Sequence, residues 1–204
     1  MCMNINKQSY GYYHVTIRHN KHGRLLCSNN ERAYIVSQLQ DLLSPRLLIV
    51  EVPSYTQLAS CIDLFAFSIR ASEIQLVLFA IDKQIAHDFI QTLIHRLLQY
   101  QSECTPSTSI KDLSNTLIQF KRLTGPHQAL AATTTLHLLH EDWEYDRYSS
   151  IGFYLHDRRG DWMRTWRLTQ LYDNTVEQYQ TLVTHAVEQS ARHTITTTGL
   201  QFAA

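Results

Sequence analysis

From Tyr10 to His19 apolar and polar positions alternate in a β-rich composition, which predicts a strand. Asn20-Lys21-His22-Gly23 reads as a turn, and Leu25-Leu26-Cys27 as a short extension. Ser28 and Glu31 have capping-box spacing, and Ala33, Val36, Leu39, Leu42 and Leu43 then mark an amphipathic helix that must stop before Pro45. Residues 46–52 are apolar and β-branched, a further strand ended by Pro53. Ile62 to Ile69 and Ile74 to Ile81 are nearly continuous apolar runs joined by a turn at Arg70-Ala71-Ser72. They predict two central strands buried on both faces. Asp82 has the chemistry of an N-cap, and Ile85, Phe89, Leu93, Leu97 and Tyr100 form the apolar stripe of a long helix behind it.

The second half is less regular. Residues 103–109 read as a polar linker, 110–139 as helical with a break near Gly125-Pro126, and 142–150 as a polar aromatic loop. Residues 162–185 have the pattern of a helical tail, and the last dozen residues are expected to fray. Strand, helix, strands, helix is the order of a ferredoxin-like fold. The expected class is therefore α+β, an antiparallel sheet with packed helices. The expected division is a ferredoxin-like core over 1–104 and a mainly helical extension over 105–204.

Composition narrows the function classes. Hydrophobic residues make up 44% of the 204 positions, enough for a real core. Eighteen basic and eighteen acidic residues cancel, which argues against a generically basic nucleic-acid coat. The first 32 residues are nonetheless basic: Lys7, Arg18, Lys21, Arg24 and Arg32 face only Glu31. The four cysteines, Cys2, Cys27, Cys61 and Cys104, form no CxxC pair, so neither a zinc ribbon nor a disulfide framework is expected. The chain begins without an apolar signal segment and has no apolar run near the roughly 20 residues of a membrane span. A cytoplasmic protein is the expectation.

Tyr12-Tyr13-His14-Val15-Thr16-Ile17-Arg18, taken with the strand order, resembles the "YHVT.R" strand that opens single-tyrosine HUH-class transposases, including the REP-associated ones. A second patch, from Glu141-Asp142-Trp143 to Ser149-Ser150, resembles their "DW..SSY" element. The resemblance covers the first half of the chain well and is thin between the patches. It implies the ferredoxin-like core, DNA as substrate and strand transfer through a phosphotyrosine. In that family a strand carries His-apolar-His, and both histidines hold a catalytic metal. Here the two positions read Glu73 and Gln75. Strand alternation projects them to one face. Their oxygens suit magnesium or manganese. The competing reading is a solvated polar pair. Tyr100 is the only tyrosine on the following helix, so the resemblance selects it as nucleophile; the alternative is an aromatic at the core edge. Cys104, one turn on, is a poor ligand for such a metal, with His95 and Gln99 as nearby alternatives.

Phosphate contacts would suit Arg18, His19, Lys21, His22 and Arg24 at the end of the first strand. Arg158 and Arg159 form a second candidate, set among His156, Arg164, Arg167, Trp162 and Trp166, a mixture that fits unpaired bases. His137 and His140 share a helix face and precede Glu141, but an exposed polar face competes with a metal site there. No P-loop, GxGxxG or G-x-S-x-G motif occurs.

Three functions stay open at this point. The leading one is a transposase-family protein that binds hairpin or single-stranded DNA with nicking weak or lost. The others are an active single-tyrosine transposase with a Glu73/Gln75 metal site, and a ferredoxin-like interaction module without a nucleic-acid role. A homodimer is open in each, and a membrane partner is not expected.

Overall fold

A computed structural model describes residues 10–20, 24–44, 60–104, 116–138 and 143–186. Strand β1 (Gly11–His19) leads through Ser28 into helix α1 (Asn29–Leu43). The Ser28 side chain accepts from the Glu31 N–H at 3.2 Å, the cap expected from the spacing. Strands β2 (Ile62–Ile69) and β3 (Glu73–Ala80) form a hairpin. Helix α2 (Lys83–Cys104) follows, its first turn capped by Asp82 Oδ1 accepting from the Gln84 N–H at 2.6 Å. Strand β4 is Thr116–Leu123. The sheet runs β2-β3-β1-β4 with every pair antiparallel. That order, from β-α-β-β-α-β connectivity, is the expected ferredoxin-like arrangement.

Alternation divides the sheet into two faces. Val15, Ile17, Ile74, Leu76 and Leu78 point toward α1 and α2. There they pack with Ile35, Leu39, Phe89, Leu93 and Leu97. Each such side chain contributes about 1.5–3 kcal/mol on burial. The opposite face is covered in part by a second helical layer. Helix α3 (Pro126–His137), short helices α4 (Ile151–Tyr154) and α5 (Trp166–Thr169), and helix α6 (residues 176–186) bring Ala129, Leu130, Tyr154, Leu168 and Tyr179 onto Phe65, Ala66 and Val77.

The second half departs from expectation in two places. Residues 116–123, expected to be helical, are a strand. Leu117, Phe120 and Leu123 recur every third residue, which over eight positions imitates a helix stripe, and pairing with β1 decides the outcome. This strand lies beyond the expected boundary at residue 104 and completes the sheet of the core. The expected helical tail is interrupted: α5 spans four residues, and Asn174, at φ 53°, turns the chain before α6.

The outer edge of β2 is also covered. Tyr148 to Ser150 lie along it, with Ile69 N–H donating to the Tyr148 carbonyl at 2.9 Å and Ser150 N–H to the Phe67 carbonyl at 2.9 Å. The loop read from sequence thus behaves as an added edge segment. The expected strand over 46–52 and the fraying C-terminus lie outside the described residues. No helix among the described residues is long and apolar enough to cross a membrane.

Candidate nucleic-acid interface

The second helical layer leaves one half of its sheet face exposed among the described residues. On β1, Tyr12, His14, Thr16 and Arg18 share this face, and on β3 Glu73, Gln75, Val77 and Phe79 do. Phe79 and Tyr12 sit at the roofed end, with Tyr12 stacked on Phe65 at 5.8 Å. Toward the other end the roof stops. His14, Thr16, Glu73 and Gln75 are half-buried and Arg18 is exposed. Pairing of β1 with β4 sets exposed Gln119 beside Thr16 and exposed Lys121 beside His14. The result is a platform of donors and acceptors with Arg18 and Lys121 as cations.

The Glu73/Gln75 pair lies on a central strand with both side chains on this face, and Ile74 between them is buried against α1 and α2. The same-face expectation holds. The two residues are linked into a chain: Gln75 Nε2 donates to Glu73 Oε1 at 2.6 Å, and Gln75 Oε1 lies 2.9 Å from His14 Nε2. Arg70 closes the chain as an ion pair with the Glu73 carboxylate. This donor set does not fit magnesium or manganese. The guanidinium already neutralises the one carboxylate a hard cation would need, and the Gln75 oxygen is turned to an imidazole. The arrangement is a hydrogen-bonded polar ladder, in which Arg70 Nε alone is buried without a hydrogen-bond partner among the described residues.

Tyr100 is not brought to these residues. It stands on α2, three positions past the core residue Leu97, and stacks on Tyr34 of α1 with ring centres 4.1 Å apart. Both helices cover the face opposite Glu73 and Gln75, so the sheet lies between the expected nucleophile and the expected metal pair. A hydrogen bond to Cys104, and secondarily desolvation, raise the Tyr100 phenol above its ordinary range. That direction makes the phenolate scarcer. The correction follows from alternation: one strand offers its side chains to two faces, and the polar residues took the face that α2 does not touch.

The basic candidates divide as well. Arg18, on the platform, stands opposite Glu73 in the strand register. His19 is half-buried at the strand end and Arg24 is exposed. Lys21 and His22 lie outside the described residues. Arg158 is a clamp: Nη1 donates to the carbonyls of Arg147 at 2.9 Å and Ser149 at 3.0 Å, and Nη2 to that of Asp146 at 3.3 Å. Burial lowers its pKa, against the pull of Asp146 and Asp157. A guanidinium committed to three carbonyls has little left for phosphate. Arg159, its neighbour, is exposed. Arg167 and Arg164 are held by Asp63, at 2.9 and 4.0 Å.

Sequence reasoning missed two parts of this site. His14 and Lys121 belong to the platform only through register, which needs the partner strand to be known. His137 is not on an exposed face. It is fully buried, and both ring nitrogens are occupied, Nδ1 by the Tyr179 hydroxyl at 2.5 Å and Nε2 by Ser150 Oγ at 2.6 Å. It therefore has no lone pair for a metal, and His140 lies outside the described residues. Among the described residues no cluster of three or more His, Cys, Asp or Glu forms. No protein-family model matches the chain, and no curated protein matches it.

Proposed function

We infer that this protein binds hairpin or single-stranded DNA on the exposed half of its sheet and does not nick it. The observation that supports this most directly is the platform itself: Arg18 and Lys121 bracket His14, Thr16, Gln75 and Gln119 on a sheet face that the helical layer does not cover. Unpaired nucleotides suit such a surface, because cations neutralise the backbone while side-chain amides, hydroxyls and imidazoles meet base edges. The transposase resemblance adds the expectation of DNA and of a history in transposition, and with it a cytoplasmic place of action. Catalysis is set aside for a geometric reason. A tyrosine hydroxyl needs an activated phosphate in line with it, and Tyr100 lies behind the sheet from Glu73 and Gln75.

Affinity for a hairpin oligonucleotide, measured against salt, tests the reading. Each lost phosphate contact lowers the logarithmic salt slope by about 0.7 on single strands. Arg18→Ala with Lys121→Ala is expected to lower it by roughly 1–1.5. An unchanged slope sinks the assignment and favours the neutral interaction module. A suicide oligonucleotide in magnesium or manganese should leave no covalent adduct with the wild type. Glu73→His with Gln75→His should not create one. A wild-type adduct that disappears in Tyr100→Phe would establish the active transposase instead.

A further inference from the structure

The chain carries a second concave feature that the sheet platform does not use. A cleft of about 400 Å³ lies beside the outer edge of β2, lined among others by Phe153, His156, Arg158, Arg159, Trp166 and Asn174. Its walls are fixed. Arg158 is held by three carbonyls. Phe153 packs edge-on against Trp162 at 5.4 Å, and Trp162 stacks on Phe67 of β2 at 5.8 Å. Gly160 presses the loop onto Trp162 so closely that a Cβ there would lie 2.7 Å from the indole nitrogen. Trp166 is 51% exposed, an unusual state for so large an aromatic. It is nevertheless anchored, since the Arg167 guanidinium lies 5.4 Å from its ring and is itself paired with Asp63 at 2.9 Å.

Two residues at the rim carry a further signal. His156 (φ 62°) and Asn174 (φ 53°) are the non-glycine residues with left-handed backbone among the described residues, and both line this one cleft. His156 follows Leu155, the C-cap of α4, at the position past a helix end where glycine is the low-cost choice. Keeping an imidazole there puts a side chain with donor and acceptor capacity at the rim, at a conformational cost of the kind that clusters at binding sites.

We propose that this cleft binds a nucleotide, with the Trp166 indole stacking the base and Arg159 and His156 holding the phosphate. An anchored, half-open indole offers a stacking surface with little ordering cost. An exposed guanidinium beside it provides the planar fork that phosphate oxygens accept from. Arg158 takes part as a wall, because its donors are already directed at the backbone. The site stands apart from the platform and does not depend on the platform binding DNA.

Isothermal titration with dAMP, deoxyadenosine and inorganic phosphate tests it. The expected order has dAMP binding more tightly than either fragment. Trp166→Leu should weaken dAMP and deoxyadenosine by about tenfold or more, as loss of one stacked base implies. Arg159→Gln should bring dAMP down toward deoxyadenosine and leave deoxyadenosine unchanged. Arg18→Ala with Lys121→Ala should leave all three affinities as they are, which separates this site from the platform. Arg159 is a surface position, so an unchanged melting temperature is expected to accompany its loss, and for half-exposed Trp166 an unchanged circular-dichroism spectrum at the titration temperature shows that the fold is kept. The proposal fails if wild-type protein takes up no dAMP at millimolar concentration, if inorganic phosphate binds as tightly as dAMP, or if either variant binds dAMP like the wild type.

Discussion

Lowering the pH from 7 to 5 is expected to destabilise the protein by about 2 kcal/mol through His137 alone. His137 ends α3 and is fully buried beneath the second helical layer. Its nitrogens bridge Tyr179 of α6 to Ser150, and Ser150 Oγ in turn accepts from the Phe67 N–H of β2 at 2.9 Å. The titratable groups against the ring are the phenols of Tyr154 and Tyr179, and Tyr172 packs on Tyr179. Burial raises all three phenols, so they stay neutral and offer an imidazolium no counter-charge. Desolvation accordingly lowers the His137 pKa from 6.5 to about 3. The unfolded chain takes up a proton below pH 6.5 that the folded one refuses. The stability is therefore fully present above 6.5 and is lost as pH falls toward 3, at roughly 1.4 kcal/mol per unit. Denaturant unfolding at pH 7, 6 and 5 measures the slope, and the ring 15N shifts report the protonation state. An imidazole that titrates near 6.5 in the folded protein would overturn the account.

The same residue shows where the sequence stops being legible. His137 lies on a helix whose burial depends on layers contributed by residues 148–183, none of which the local pattern links to it. Isolated periodicity made it a surface residue. By contrast the bounds of β1, α1, β2, β3 and α2 could be read directly from apolar positions and, for both helices, a capping residue, although β2, expected to be central, lies at the edge of the sheet, and in α1 the expected Ala33 is exposed while Ile35 takes the core place. Their pairing into one antiparallel sheet followed from order alone. The face on which Glu73 and Gln75 project was equally legible, since alternation fixes it whatever the strand packs against. The face on which α2 settles was not. Tyr100 stands on the helix that directly follows the strand of Glu73 and Gln75, yet the choice of sheet face for a crossover helix is a tertiary decision. The arginines make the same point more sharply. Arg158 and Arg159 are adjacent and identical in type, and only the surrounding carbonyls distinguish them.

That distinction gives the second large effect. Arg158→Met keeps the aliphatic stem that lies against Gly152 and removes the fork. The carbonyls of Asp146, Arg147 and Ser149 then lose their donor. Hydrogen bonds from a charged donor contribute about 1.5–3 kcal/mol each, and half-exposed carbonyls recover part of that from water. A loss of about 3 kcal/mol is expected. The loss has a direction in the fold, because residues 146–150 are the segment that lies along β2 and carries Ser150 to His137. Loosening it should expose the outer edge of β2 and admit water to the Ser150–His137–Tyr179 bridge. Amide hydrogen exchange should accordingly rise at Ile69 and Phe67, whose neighbours along the edge are Tyr148 and Ser150. Arg159→Gln, one residue on, should leave both exchange and melting temperature unchanged, since its side chain is exposed. Equal destabilisation by the two substitutions would show that the arginine pair acts through net charge. Loss confined to Arg158 would show that the guanidinium fork closes the second layer onto the sheet.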